Sequence, residues 1–494
     1  MPEKNFKPSI DPRSLALLSR INDFLVRDSL LRRETADIDI ALSANALDIA
    51  RQIAAVLGGR YVRLDEVNRV GRVVMANQEA PPAKGRWEID LSTIKTDIEG
   101  DLRERDFTVD AMAVDLQDLG EDRIEIIDPF HGLEDLDQRL IRSVTETAFA
   151  SDPLRLLRAV RLAAELGFTI DGQTELLIRR QCHLIANVAA ERVREELLPI
   201  LAQSSRFLRY LDSVGLLVVI IPEIARLKGV RQPPEHFWDV FDHSLEAVAA
   251  ADYLLRQGAP EYATDHVLSA VPWSEALAPH FAQEVSRGST RRSLLKLAAL
   301  LHDIAKPQTK ATEENGRIRF LGHAIEGAAI TVNIFERLRF STREVKLVEA
   351  MVRHHLRPTQ MSQGELPTRR AIYRYLRDTG DAAIDTLFLN LADHLATRGP
   401  QLELAEWQRH ARLVSYVLAE RQQEERFIRP PKLIDGHDVI NSFGLSPGPK
   451  IGKLLESVRE LQDAGEVTNK QEALAYIQKQ LSPTTGPSEA EDGG

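Results

Sequence analysis

The stretch ADIDIAL, residues 36–42, decides how the N-terminal part of this chain is read. Apolar and acidic residues alternate with period two, the pattern of a strand whose successive side chains point to opposite faces. Ile38 and Ile40 then share one face and Asp37 and Asp39 the other, with the two carboxylates ~6–7 Å apart along the strand. The isoleucine face can enter a core. The aspartate face offers oxygen ligands of the kind a hard cation such as Mg²⁺ takes together with substrate phosphates. A solvated, charged strand face would show the same alternation, so D-x-D alone leaves both readings open.

Further strand-like runs flank it: RYVRLD (60–65), GRVVMA (71–76), WEIDLS (87–92), TVDAMAVDL (108–116) and IEIIDPF (124–130), with a helical period in ALDIARQIAAVL (46–57). Asp90, in WEID, is a candidate third carboxylate on an adjacent strand. Residues 15–145 therefore read as an α+β domain built on a small mixed sheet. From about 146 onward helical patterns follow one another: a neck over 146–228, a further helical domain over 229–400 and a helical tail over 401–481. GVRQPPEH (229–236) is a proline-marked boundary, and 256–290 reads as a loop-rich insertion. Residues 1–14 read as a polar leader and 482–494 as a disordered acidic tail.

A chain of 494 residues implies several domains. With 43% hydrophobic and 28% charged residues it is neither wholly disordered nor collagen-like. No apolar run reaches the ~18 residues that span a bilayer, so no membrane partner is expected. The N-terminus lacks the apolar core of a secretory signal. The single cysteine, Cys182, cannot form an internal disulfide and points to a reducing, cytoplasmic setting. The net charge of −11 means that any nucleic acid must be bound by a local basic face.

More segments line up with the aspartate pair. Arg27-Asp28 lies upstream; DLRERDFTVDAMAVDL (101–116), IDPFHGLEDL (127–136), SDPLRLLRAVRLAAELGF (151–168) and VAAERVREELLPIL (188–201) follow. In this order they resemble the bacterial tRNA nucleotidyltransferase (CCA-adding) and poly(A) polymerase family. The resemblance implies a nucleotidyltransferase head followed by an all-α neck, body and tail. It also implies attack of a tRNA 3′-hydroxyl on the α-phosphate of CTP or ATP, with pyrophosphate released. On this likeness Asp37 and Asp39 are the catalytic pair that holds Mg²⁺. Arg27, Asp28, Arg105, Asp106, Asp152, Arg155 and Arg158 fall in the nucleotide-binding motifs. Asp152 and Arg155 match the pair that reads the base; an acceptor beside a fork of donors suits the Watson–Crick edges of C and A. Asp128, Gly132 and Asp135 match the segment joining head to neck, and Glu191-Arg192 the motif that braces the base-reading helix. Without the family, Asp152-Pro153 would read as a helix cap with proline in the first turn.

The sequence departs from the family in three places. Where relatives carry Gly-Gly ahead of Arg-Asp, this row reads Phe24-Leu25-Val26-Arg27-Asp28, without the glycines and two further residues. Such glycines let backbone approach a triphosphate closely. Asp110 replaces a common asparagine, and Ser151 stands where an acidic residue is frequent.

A second constellation begins at LAALLHDIAKP (297–307), where His302-Asp303 closes an apolar helix and Lys306 follows one turn later. With His243 in VFDHSLEAV and Asp393 in LNLADHLA, the order resembles the HD metal-dependent phosphohydrolase superfamily. The likeness makes His243, His302, Asp303 and Asp393 ligands of a divalent transition metal (Mn, Ni, Fe or Zn), with Lys306 at the substrate phosphate. Imidazole and carboxylate donors suit such a metal. His323 and His354-His355 fall where relatives have a second metal or phosphate site. The leading expectation is thus a tRNA nucleotidyltransferase that uses CTP and ATP and carries an accessory HD domain over 229–400. The rivals are an HD phosphohydrolase with an impaired RNA-binding head, a poly(A) polymerase, and a non-enzymatic RNA-binding protein.

Overall fold

A computed structural model describes residues 26–31, 33, 37–75, 87–115, 125–256, 264–361, 366–426, 432–463 and 466–481. The leader expected over 1–14 and the acidic tail over 482–494 lie outside the described residues. The chain forms two compact units, residues 1–203 with 207–220, and residues 204–206 with 221–494.

In the first unit, β1 (Asp37–Leu42), β2 (Arg60–Asp65), β3 (Val70–Met75) and β4 (Trp87–Thr93) form a sheet in the order β1-β4-β3-β2. β2, β3 and β4 are an antiparallel meander, and β1 lies parallel to β4. One face carries Ile38, Ile40, Val73, Ile89 and Leu91, all buried. It is covered by α1 (Ala46–Leu57), which contributes Ala50, Ile53 and Ala54 to the same core. α1 starts where the Asn45 side chain accepts from the Leu47 N–H and stops at left-handed Gly58. Gly71 in β3 lies under α1: a Cβ there would stand 3.0 Å from that of Ala50. The alternation sends Asp39, Asp90 and Arg72 to the opposite face in one row, Asp39 opposite Asp90 and Asp90 opposite Arg72.

Two expected strands are shorter than their sequence suggests. Of TVDAMAVDL only Ala113–Val114 is strand, paired with Ile126–Ile127, which is all that IEIIDPF contributes. Arg105-Asp106 sits in a loop, and Thr108–Asp110 is a 3-10 turn. The reason is local: side chains take the backbone's bonds. Asp106 accepts from the Phe107 N–H, and Asp128 accepts from the Gly132 and Leu133 N–H groups and ends the strand. Gly132 is required here, because a Cβ would stand 2.2 Å from the Thr108 carbonyl oxygen.

The neck is helical. α2 (Arg155–Leu166) packs on α3 (Ala190–Ala202) through Leu156, Val160 and Ala163 on one side and Val193, Leu197 and Leu201 on the other. Two arginines of α2 are paired: Arg158 with Asp106, and Arg161 with Glu165 and Glu196.

The second unit is a helical bundle of α4 (Val240–Leu254), α5 (Arg291–Leu301), α6 (His323–Arg337), α7 (Thr342–His354), α8 (Arg369–Thr379) and α9 (Ala383–Arg398). Of the insertion expected over 256–290, residues 264–290 carry short helices Asp265–Ser269 and Leu277–Ala282 and a hairpin over Glu284–Thr290. After the long helix Leu404–Arg426, the tail consists of α10 (Gly436–Phe443), α11 (Pro449–Asp463) and α12 (Lys470–Leu481) around a core of its own, including Val439, Ile451, Val458 and Ile477. Glu460 on α11 binds Arg370, Arg374 and Arg377 of α8. Among the described residues no helix is long and apolar enough to cross a membrane.

Candidate functional site

The polar face of the head sheet carries the first site. Arg105 reaches the Asp39 carboxylate at 3.3 Å and Asp101 at 3.5 Å. Burial, with Asp90 nearby, pushes the Asp39 carboxyl above its usual range against the pull of Arg105. A carboxylate crowded by another is the setting a divalent cation relieves. Asp37 opens β1 in register with Glu88. Asp90, the candidate third carboxylate, carries its own counter-ion: Arg72 donates to both its oxygens at 2.6 and 2.7 Å and to Glu88 at 2.5 Å.

Arg27 and Asp28 lie together rather than open to a ligand. Arg27 donates to both Asp28 oxygens, at 3.0 and 3.2 Å, and to buried Asp110 at 2.5 Å. Buried Asp106 pairs with Arg158 at 2.9 Å. Thus ion pairs tie Arg27 to the 3-10 turn at Asp110 and α2 to Asp106. At the head of α2, Asp152 accepts from the Leu154 N–H at 3.2 Å, as a helix cap does, and from Arg192 of α3 at 3.2 Å. Arg155 donates to the Glu104 carbonyl at 2.6 Å. In the head-to-neck segment Asp135 accepts from Thr108 at 2.6 Å and from Arg142.

The second site lies inside the α4–α9 bundle. His243 Nε2 stands 3.1 Å from His302 Nε2, 3.1 Å from Asp393 Oδ1 and 3.3 Å from Asp303 Oδ2. His302 Nε2 is 3.1 Å from Asp303 Oδ2. All four expected ligands therefore converge. Asp303 turns its other oxygen toward His323 Nε2 at 3.4 Å and His355 Nε2 at 4.0 Å. Of the two adjacent histidines only His355 faces the cluster; with His302 and Asp303 it forms a second metal-sized donor set. His302, His323 and His355 each place Nδ1 on a backbone carbonyl, of Ala299, Phe320 and Val352, which leaves Nε2 for the centre. The Asp303 carboxyl is buried, which tends to raise it, but His302 and Lys306 hold it well below the usual range. Burial pulls His302 down, yet Asp303 and Asp393 hold it up at about 10. Ionised carboxylates and convergent imidazoles fit a divalent metal. Lys306, expected at a phosphate, bonds Asp303 at 2.6 Å and the Gln232 side-chain oxygen at 2.6 Å.

Three residues escaped sequence reasoning. Arg72 has no signal until β3 is paired with β4. Gln232 and His236 lie in GVRQPPEH, which reads as a linker but folds against the metal cluster, with the His236 ring edge-on to that of His243 at 5.5 Å.

Comparison with known proteins places three family models on the chain. They are the poly A polymerase head domain over 24–142, the probable RNA and SrmB-binding site of polymerase A over 167–228, and the HD domain over 240–398. The A-adding tRNA nucleotidyltransferase of Deinococcus radiodurans is 33% identical over 93% of this chain and 95% of its own. The CC-adding tRNA nucleotidyltransferase of Thermus thermophilus is 33% identical over 92% of this chain and 91% of its own. In fold, the Thermotoga maritima CCA-adding enzyme complexed with tRNA matches with a TM-score of 0.59 at 20% identity, covering 98% of this chain and all of that one (100%).

Proposed function

The chain belongs to the tRNA nucleotidyltransferase and poly(A) polymerase family, and on that premise we propose that it transfers C and/or A from CTP and ATP to the 3′ end of tRNA. The observation that carries this reading is Asp39 on the open face of the sheet, with Arg105 against it and Asp90 beside it in register. Mg²⁺ bound there would supply a Lewis acid that activates the attacking hydroxyl and neutralises the leaving pyrophosphate. Asp37 and Asp39 would be its protein ligands. Arg105 orients Asp39 and stands next to the developing charge. Asp152 and Arg155 would present an acceptor and a donor fork to the incoming base, with Arg192 holding Asp152 in place. The head would span 15–145 and the neck 146–228. The test is extension of a tRNA ending at its discriminator base, with CTP, ATP or both. Elongation is expected, and no product under any nucleotide condition would overturn the reading.

For the HD domain, taken as 229–400, we propose a divalent transition metal (Mn, Ni, Fe or Zn) held by His243, His302, Asp303 and Asp393, and hydrolysis of a phosphate ester there. Such a metal would activate bound water and polarise a phosphoryl oxygen. Asp303 turns one oxygen to His243 and the other to His323, and Lys306, itself held by Gln232, steadies it in that orientation. The relatives' activity and the single unpaired cysteine agree with a cytoplasmic setting.

A further inference from the structure

The stretch 229–239 is pinned across the mouth of the metal cluster. Asp239 accepts from the Asp242 N–H, capping α4, and from the Gly229 N–H at 2.6 Å. The Val240 N–H bonds the Val230 carbonyl, and the Phe237 N–H bonds the Thr397 carbonyl at the end of α9. The His236 N–H closes a turn on the Pro233 carbonyl. These bonds fix both ends of the stretch and turn two side chains inward, Gln232 to Lys306 and His236 to His243.

Those two side chains differ in how they are satisfied. The Gln232 amide is used at both ends, accepting from Lys306 and donating to the Trp238 carbonyl at 3.3 Å. His236 Nδ1 is buried and has no partner. His302, His323 and His355 spend Nδ1 on backbone carbonyls and aim Nε2 at the metal position, whereas His243 aims Nε2 there and leaves its buried Nδ1 unpartnered. His236 has no such anchor, and it stands outside both metal-sized donor sets. A buried imidazole nitrogen without a partner is costly unless a ligand supplies one. Its ring stands edge-on to His243 at 5.5 Å, and His243 belongs to the first donor set, so the ring borders the metal position.

We propose that His236 is a substrate-contacting residue of the HD centre, donating a hydrogen bond from Nδ1 to a non-bridging phosphoryl oxygen of a phosphate ester bound at the metal. This rests on the HD reading above. It gives the proline-marked stretch a role in binding: the stretch carries a buried imidazole nitrogen that stands outside both donor sets and has no partner.

The test uses the full chain loaded with Mn²⁺, with bis-p-nitrophenyl phosphate as substrate and inorganic phosphate as ligand, the latter followed by its effect on the Mn²⁺ resonance signal. H236A should keep its metal content and melting temperature, weaken phosphate binding at least tenfold and lower kcat/KM by a similar factor, mostly through KM. H236N, which returns an N–H near the Nδ1 position, should recover much of the binding. Unchanged phosphate affinity in H236A, or loss of metal from it, would overturn the proposal. If the wild-type chain binds phosphate but does not hydrolyse the ester, HD catalysis fails as a reading while His236 is still judged by the binding series. If it binds no phosphate at all, the proposal fails with it.

Discussion

Arg27 and Asp110 are 83 positions apart in the chain and 2.5 Å apart in the head, one guanidinium nitrogen on one buried carboxylate oxygen. They sit at two of the places where the sequence departs from its family: Arg27 follows the missing Gly-Gly, and Asp110 replaces an asparagine. Removing the carboxylate strips a largely buried arginine of one of its two counter-ions. D110N is therefore expected to cost about 2–3 kcal/mol of stability, although it restores the common family residue. Denaturant unfolding of D110N, R27A and the double variant would measure the coupling. A coupling energy near zero would show that the pair is idle.

The lost glycines bear on rate. Close backbone contact with a triphosphate acts as a preorganised set of donors, and losing one such donor typically costs ~10²–10³ in rate. The chain as it stands is expected to extend tRNA slowly. Inserting Gly-Gly and two residues between Val26 and Arg27 should raise the rate at least tenfold, and D39A should abolish the gain. Equal rates in primer extension would mean that another segment cradles the triphosphate.

Base choice is expected to run through Asp152. Its carboxylate is shared between the Leu154 N–H and Arg192, so R192A should loosen it without unwinding α2. D152A and R155A should lose discrimination of CTP and ATP over UTP and GTP, by about 1–3 kcal/mol per lost bond to the base. R192A should show the same change more weakly. Selectivity unchanged in all three would leave Asp152 a helix cap only.

Metal binding at the HD cluster should be separable from nucleotide addition. His302 belongs to both metal-sized donor sets and Asp303 to one of them while lying 3.3 Å from His243 of the other, so H302A and D303A should each empty the full chain of its HD metal. Elemental analysis would show the loss, and tRNA extension by the same variants should stay within twofold of wild type. Retained metal in D303A would remove the assignment.

The tail's attachment should be acid-sensitive. Hydrogen bonding to Arg374 outweighs burial and, with Arg370, holds the Glu460 carboxyl below its ordinary 4.5. A depressed folded value adds stability above the unfolded value, and that stability drains away as pH falls through the folded one. The arginines are partly exposed, so the contribution is about 1 kcal/mol at most. After correction for the intrinsic exchange rate, protection of the α11 amides should fall below pH ~4.5 in the wild-type chain. In E460Q that protection should already be low at neutral pH and change little with acidification.

Periodicity made β1 and α1 legible, because Ile38, Ile40, Ala50 and Ile53 obey the two periods that place them in one core. His302-Asp303 was legible for a similar reason, at the end of an apolar helix where polar residues need a purpose. What escaped depends on pairing over distance. Arg72 neutralises Asp90 only once β3 meets β4, so the strand text of either alone hides it. The loop at 105–110 reads as strand because its apolar residues alternate, but Asp106 and Thr108 take up backbone and side-chain bonds that a ladder would have used. His354 and His355 are neighbours at a helix end, where a small change in phase decides which one is buried.

The sheet order carries a consequence for how the protein is made. β2, β3 and β4 are joined in sequence and can pair as soon as they leave the ribosome, whereas β1, synthesised first, has no partner until β4 arrives about fifty residues later. The strand bearing Asp37 and Asp39 is thus the last to be seated. Until then its two carboxylates are an unstructured acidic stretch with no Arg105 or Asp90 beside them. If these carboxylates act as proposed, the nascent chain would carry them early but could not use them until the head has closed.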